Sequence, residues 1–255
     1  MAQKNFDIND YIMHHVTDAG EWHLPFLPPV QLPEFLSLHG LMLLIGALFV
    51  GILFCVVYRK NDRVPKGITN LLEVFVLFVR DQVAVPSMGK KDGIKMTPLL
   101  CTFFFFILTL NLIGLVPIFA TATSNINVTG ALALITLSFM IFGSILKNGV
   151  GGFFKAFIPA GVPAPILILL IPIEFLGLFI KAFALMIRLF ANMLAGHIVI
   201  LALLGLVVLL GYVALPAVIL AVCIGLLEVF VCFLQAFIFT LLSAMFIGQM
   251  YHPSH

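Results

Sequence analysis

The sequence predicts an all-α integral membrane protein with about five membrane helices, one interfacial amphipathic helix and a long, strongly tilted C-terminal helical hairpin. Of its 255 residues, 62% are hydrophobic and only 9% are charged, whereas soluble domains carry about 25% charged residues. Several apolar runs are long enough to cross ~30 Å of hydrocarbon. Lipid is therefore the main solvent of this chain. A formal net charge of +2 without a basic run argues against a nucleic-acid partner.

Residues 1–36 are predicted to form an external N-terminal segment, and residues 37–255 a single membrane domain. The N-terminal segment is acidic and lacks an early apolar core, so neither a cleavable secretory signal nor a transit peptide is expected. The first span, about 38–57, is followed by a basic segment, 58–63, which the positive-inside rule places in the cytoplasm. This orientation puts the N-terminus outside and, after five spans, the C-terminus in the cytoplasm.

An amphipathic helix is predicted over about 66–85. Lys66, Glu73 and Arg80 recur every seven residues and share one helical face, while the opposite face is apolar around Val79. Three charged residues make this segment a poor transmembrane helix. The pattern therefore favours a helix that lies on the cytoplasmic membrane surface.

Two further spans of ordinary length follow, at about 98–119 and 131–146. Thr97 and Pro98 form an N-cap and first-turn signature for the earlier span. The polar segment 121–130 between the two spans is expected to be an external loop.

The last two apolar runs, about 166–210 and 213–249, exceed the usual dimensions of a span. As single helices they would be ~68 Å and ~55 Å long, about twice the thickness of the bilayer core. The first run could be two ordinary spans broken near Arg188, or one long tilted helix. Turn residues are absent around Arg188, which favours the long helix.

Ionisable residues inside the first long run are the strongest functional signal. Glu174, Lys181, Arg188 and His197 stand in otherwise apolar sequence. A guanidinium group cannot neutralise itself by losing a proton, so at membrane depth it needs a watery cavity or a counter-charge. The sequence therefore indicates an ion pathway.

Polar residues of the two long runs match in register if the chain reverses near residues 211–212. The predicted antiparallel pairs are His197 with Glu228, Arg188 with Gln235, and Glu174 with Gln249. Asn192 lies one turn beyond Arg188, whereas His197 is nine residues past it and so about 180° around the helix. Arg188 and His197 are therefore expected to serve different surfaces.

These residues carry a family resemblance. Four parts of the sequence carry it: the segment Arg188–Met193, the triplet Ala195–His197, the pair Glu228 and Gln235, and the tail from Gln235 to Tyr251. These parts closely resemble the a subunit of the rotary F-type ATP synthase, the stator half of its proton channel. The likeness reaches back to the segment 111–117 and covers about residues 35–250. Some bacterial members carry the acid at the position of His197 and the histidine at that of Glu228. Here the two groups are exchanged.

The resemblance implies a non-catalytic ion-channel subunit that needs no cofactor or metal. Two half-channels would lead protons to and from carboxylates of a rotating c-ring, with His197 and Glu228 on the outer path and Glu174 and Gln249 on the cytoplasmic path. Arg188 would separate the two paths. The full set of implied proton-translocation residues is Arg188, His197, Glu228, Gln235, Glu174, Asn192, Gln249 and Asn111.

The implied partners are the c-ring, the b subunits of the peripheral stalk and membrane lipid, in a bacterial inner membrane or, alternatively, a mitochondrial one. A secondary ion-coupled transporter is the alternative function, although the chain lacks the internal repeats typical of that class. Buried His197 and Glu228 could also form a structural pair. Whether Asn111 and Gln235 contact the proton path, and whether the ion is H⁺ or Na⁺, stay open.

Overall fold

The computed structural model describes residues 21–22, 30–31, 33, 37–57, 67–116, 119–158, 164–210 and 215–252. Most of the predicted external segment 1–36 therefore lies outside the described residues. The described part of that segment holds two short strands, β1 (Glu21–Trp22) and β2 (Val30–Gln31), which pair antiparallel. The basic segment 58–63 and the predicted turn at 211–212 also fall outside the described residues.

Helices make up almost all of the described chain. In order they are α1 (Leu38–Ile52) with a π-helical extension (Leu53–Val57), α2 (Ile68–Phe78) with a π-helical extension (Val79–Ala84), α3 (Val85–Gly114), a 3₁₀ turn (Ala122–Ser124), α4 (Ile126–Ser138) with a π-helical extension (Phe139–Gly143), α5 (Ser144–Lys155), α6 (Ala164–Leu210) and α7 (Leu215–Tyr251). Five stretches of the described residues are long and apolar enough to cross a membrane. The predicted all-α membrane fold is confirmed.

Both long C-terminal helices form as predicted. α6 runs for 47 residues without a break at Arg188, and α7 runs for 37 residues. The alternative of two spans broken near Arg188 is therefore wrong. The strong tilt of these helices against a ring stays a prediction.

The predicted start of the second span is wrong. Thr97 is not an N-cap, because the helix is already under way and the Thr97 hydroxyl donates to the carbonyl oxygen of Gly93 at 2.8 Å. The break lies instead at Gly89, whose φ of 75° falls in the left-handed region that glycine tolerates best. The amphipathic segment therefore continues through α2 to Gly89, and its buried residues include Leu72 and Val79, as the heptad pattern predicts.

The third span is longer than predicted. Helix begins at Ile126, inside the segment predicted to be a loop, and continues through Gly143 into α5. A second left-handed glycine, Gly149 with φ of 74°, interrupts α5. Neither break was predicted from the sequence, because a single glycine between apolar residues is only a weak indication of a turn.

The chain divides into two compact units. The first comprises Met1–Gly51, Phe106–Val128 and Leu189–Gln235. Its core is built around Met42 of α1, Leu110 of α3 and Ala122 of the 3₁₀ turn. α1 therefore packs against the segment that joins α3 to α4.

The second unit comprises Ile52–Phe105, Thr129–Arg188 and Ala236–His255. Phe103 of α3 and Phe239 of α7 pack edge to face at 5.6 Å between ring centroids. Thr136 of α4 lies 3.1 Å from Ser243 of α7 between the two hydroxyl oxygens. Hydrogen bonds of this kind join helices whose contact surfaces are otherwise apolar.

Candidate functional site

The first unit brings His197 and Glu228 together. Nδ1 of His197 on α6 lies 3.9 Å from Oε1 of Glu228 on α7. Glu228 is only 4% exposed, and neither of its carboxyl oxygens has a hydrogen-bond partner among the described residues. The predicted side-chain proximity of this pair is confirmed, and it places an acid beside a base at a separation somewhat longer than a direct hydrogen bond.

Thr121 is the second neighbour of His197. The Thr121 hydroxyl oxygen lies 2.9 Å from Nε2 of His197, and it also donates to the carbonyl oxygen of Gly114 at 3.2 Å. Gly114 is the last residue of α3, where backbone carbonyls have no donor within their own helix. The segment after α3 therefore places a buried hydroxyl group between the end of a helix and the imidazole ring.

Asn111 lies on the same helix three residues before Gly114 and is fully buried. Its Oδ1 accepts a hydrogen bond from the Thr123 hydroxyl at 2.9 Å, while its Nδ2 has no partner among the described residues. Nε2 of Gln235, a residue only 4% exposed, also lacks a partner there. Buried polar groups usually find partners, so Asn111, Gln235 and Glu228 are polar groups available to water or an ion.

Arg188 belongs to the second unit and is exposed. No hydrogen bond or ion pair joins it to another side chain in the described part of the chain. A charged guanidinium in an apolar helix needs a partner. The predicted pairing of Arg188 with Gln235 stays a prediction.

Gln249 has a different partner from the one predicted. Its Oε1 accepts a hydrogen bond from Nζ of Lys181 at 2.9 Å, whereas Glu174, one heptad earlier on α6, is exposed. Lys181 also lies over the Phe246 ring at 5.5 Å. The long, flexible side chain of Lys181 extends to these residues of α7. Counting residues from a turn gives the register of two helices but not the length of a side chain, so it could not predict this contact.

The remaining features of the described chain do not add to this set of residues. Asn192 is half-buried on α6. A cavity of about 480 Å³ is lined by apolar side chains and by Asp92, Lys95, Lys147, Ser138 and Tyr251, and none of the predicted proton-translocation residues lines it. No group of three or more His, Cys, Asp or Glu side chains among the described residues is arranged to hold a metal ion.

Thr121, Gly114 and Gly196 are the site residues that sequence reasoning missed. Thr121 lies in a segment interpreted only as a polar loop, and its distance of 76 residues from His197 hides the contact. The glycines allow close approach: a Cβ atom on Gly196 would lie 2.8 Å from Cδ of Glu228, and one on Gly114 would lie 2.9 Å from Oγ1 of Thr121. The Ala-Gly-His sequence around Gly196 was the one local signal available.

Fold and site together define an integral membrane protein of the α-helical class, with ionisable groups inside its apolar helices, where such groups mark ion pathways. A family model described as ATP synthase A chain matches residues 40–248. The chain belongs to this family.

Similar bacterial proteins support the assignment. A protein named ATP synthase subunit a from Chloroherpeton thalassium is 46% identical over 259 residues, which is 95% of this chain and 77% of the relative. The subunit a of Myxococcus xanthus is 42% identical over 264 residues, covering 94% of this chain and 87% of the relative. The subunit a of Anaeromyxobacter dehalogenans strain 2CP-C is 50% identical over 215 residues, covering 82% of this chain and 56% of the relative. The chain thus spans little more than half the length of the Anaeromyxobacter relative.

Proposed function

We propose that this chain is the proton-translocating stator subunit in the membrane sector of an F-type ATP synthase. It forms two half-channels to a rotating c-ring and couples proton flow to rotation and so to ATP synthesis. Family membership favours this function over a secondary ion-coupled transporter.

One observation carries the proposal: a buried carboxyl group, Glu228, faces the imidazole of His197 at 3.9 Å between two long membrane helices. This separation is longer than a hydrogen bond, and an acid and an imidazole so placed can pass a proton after a small side-chain movement or through one water molecule. The unpartnered polar atoms of Asn111 and Gln235 in the same unit supply further groups for a wet path. A purely structural pair would leave these atoms unexplained.

A proton from the outside is relayed through His197 and Glu228 to a carboxylate of the ring. The neutral acid then rotates through lipid, because an uncharged carboxyl group avoids most of the cost of burying an ion. After almost a full turn it reaches a cytoplasmic path near Glu174 and Gln249, and there it ionises. Lys181 holds Gln249 by a hydrogen bond at the start of this path.

Arg188 separates the two paths. It is exposed on α6 and has no counter-charge within the described chain, as expected for a group whose partner is an ionised carboxylate on the ring. Its fixed positive charge attracts that carboxylate and repels protons, so that protons cannot cross without rotation. Asn192, one turn further along α6, lies beside this position.

The exposed apolar surface of the long helices fits lipid and a large partner. Only 11% of the apolar window in Ile166–Val207 is buried, against 56% in Ile68–Gly114. The c-ring covers part of this surface, and the b subunits of the peripheral stalk hold the chain still. The chain itself is non-catalytic. It lies in a bacterial inner membrane with its N-terminus outside and its C-terminus in the cytoplasm.

ATP-driven proton pumping by the whole complex in inverted membrane vesicles tests the proposal. Glu228→Gln keeps the shape of the side chain but removes its titratable proton, so pumping falls by about 10²-fold or more while the complex still assembles. Glu73→Gln, the same change on α2, is the matched control and keeps wild-type pumping. Measuring at low and high sodium identifies the ion. Wild-type pumping by Glu228→Gln at every pH from about 6 to 9 would make the pair structural.

A further inference from the structure

A cavity of about 480 Å³ lies within the second unit, where polar residues of three membrane helices meet. Its walls come from the part of α3 after Gly89, from the π-helical extension of α4 with the first turn of α5, and from Tyr251 at the end of α7. A volume of this size falls in the range of about 300–1,000 Å³ that is typical of small-molecule sites. The cavity is separate from the residues of the proposed proton path, so that path does not explain it.

One wall of the cavity changes from apolar to charged along its length. It runs from Ser138 to Lys147, nine residues that correspond to about 13 Å of helix. Between these two residues it presents Phe139, Phe142 and Leu146. Phe142 is 64% exposed and Leu146 is 87% exposed, and apolar side chains so exposed on a membrane helix contact lipid. The cavity is therefore open to the hydrocarbon beside this wall and has charged groups at its Lys147 end.

The charges at that end are unequal. The carboxylate of Asp92 is neutralised, because its Oδ2 accepts a hydrogen bond from Nζ of Lys147 and lies 3.0 Å from Nε2 of His252. Lys95, about one turn further along α3, is exposed and has no ion pair within the described part of the chain. Lys91 lies four residues before Lys95 and so on the same helical face. The cavity therefore offers a positive charge that is not compensated by its own walls.

Internal contacts fix the shape of the cavity. Gly143 ends the π-helical extension of α4 and makes room for the hydroxyl group of Tyr251, which a Cβ atom at position 143 would overlap. The side chains of Ser144 and Asn148 donate hydrogen bonds to the carbonyl oxygen of Met250 at 2.8 and 3.2 Å. The end of α7 is thereby held against α5. π-Helical segments are frequent at functional sites, and tyrosine is enriched at membrane–water interfaces.

We propose that this cavity binds one anionic phospholipid, with the phosphate at Lys95 and an acyl chain along Phe139, Phe142 and Leu146. Basic pockets between membrane helices suit anionic head groups. A free phosphate ion would leave the apolar wall uncovered, and a lipid without net charge would bring its own cation close to the lysine. The inference rests on the membrane fold and not on the proton path proposed above.

Photolabelling of the whole complex tests the site. The complex is reconstituted into phosphatidylcholine vesicles that contain a small fraction of phosphatidylglycerol with a diazirine in one acyl chain. After illumination, mass spectrometry of peptides from this chain locates the label. We expect label within residues 138–147. Excess unlabelled phosphatidylglycerol removes it, whereas the same amount of additional phosphatidylcholine or of inorganic phosphate does not.

Variants of Lys95 test the recognition of charge. Lys95→Gln should lower the label at residues 138–147 about fivefold at a subsaturating amount of probe, the size expected for one lysine at a membrane surface, and Lys95→Glu should lower it further. Lys155→Gln is the matched control, because it removes an exposed lysine of α5 that does not line the cavity. Label at Ile168 of α6, which is 80% exposed, is the internal reference and stays constant.

Four results would overturn the proposal. Equal label in wild type and Lys95→Gln would remove the role of the lysine, and equal competition by phosphatidylcholine would remove the preference for an anion. Displacement by inorganic phosphate alone would make the site one for a free anion. Label at Ile168 without label at residues 138–147 would mean that another subunit covers the cavity. Wild-type pumping by Glu228→Gln, which contradicts the proposed function, would leave the labelling result unaffected.

Discussion

Gly196 makes room for the carboxyl group of Glu228. The glycine precedes His197 on α6, and a Cβ atom at this position would lie 2.8 Å from Cδ of Glu228, closer than real contacts allow. The two helices therefore meet at a point where one has no side chain and the other has an acid. This close approach is what holds Glu228 beside the imidazole.

Gly196→Ala is expected to displace the Glu228 carboxyl group and to lower ATP-driven pumping by about 10- to 100-fold, since proton transfer is sensitive to misplacement of the order of 1 Å. Pumping in vesicles, normalised to the amount of assembled complex, measures the effect. Gly51→Ala adds the same methyl group where no atom lies within 4 Å, and it should leave pumping unchanged. Equal pumping by Gly196→Ala and wild type would contradict the close packing.

Chemical crosslinking tests the register of the long helices. After replacement of the four native cysteines, Cys55, Cys101, Cys223 and Cys232, cysteines at positions 197 and 228 should react together with a short bifunctional thiol reagent. The physical reason is the 3.9 Å separation of the native side chains. The chain is then cleaved by a protease between the two long helices. On a denaturing gel, crosslinked fragments stay together and uncrosslinked fragments separate, so the band intensities give the crosslinking yield.

Two cysteine pairs serve as controls for the crosslinking experiment. Cysteines at Thr136 and Ser243, whose hydroxyl oxygens lie 3.1 Å apart, should crosslink in every preparation. A cysteine at the exposed Leu227 combined with one at 197 should not. Reaction of the control pair at 136 and 243 without reaction at 197 and 228 would rule out the register.

Exchange of the acid and the base tests whether they act as a pair. His197→Glu leaves two acids facing each other and Glu228→His leaves two imidazoles, so each single change should reduce pumping by at least about 10-fold. The double exchange rebuilds an acid beside an imidazole. We expect it to pump roughly 3- to 100-fold faster than the weaker single variant, the range of coupling between contacting residues. If the two substitutions act independently, the pumping rate of the double variant falls by the product of the two single losses. That result would argue against a proton shared by the two side chains.

Composition and hydrophobic run length predicted the helical membrane fold, because both depend only on the thickness of the bilayer and not on tertiary contacts. Equal spacing from a turn likewise predicted the proximity of His197 and Glu228. The breaks at Gly89 and Gly149 were missed, since each depends on one left-handed residue whose neighbours are all compatible with helix.

Long-range contacts account for the rest of what the sequence did not reveal. Thr121 meets His197 only because α3 ends at Gly114, and no spacing in the sequence encodes that contact. The pairing of Gln249 with Lys181 in place of Glu174 reflects the reach of a flexible lysine. Side-chain length and loop path are properties of the folded chain, and they are not visible in a periodic pattern.

ATP synthesis by Arg188→Ala in proteoliposomes with an imposed proton gradient tests the coupling mechanism most directly. The matched control is Arg80→Ala, which removes an arginine paired with Asp81 and outside the site. We expect Arg188→Ala to give an assembled complex with no ATP synthesis and a passive proton leak that persists or rises, because the charge that separates the two paths is gone. Arg188→Lys should also synthesise poorly, since an ammonium group loses its proton more readily than guanidinium in a low-dielectric site. Synthesis by Arg188→Ala at the rate of the Arg80→Ala control would contradict the mechanism.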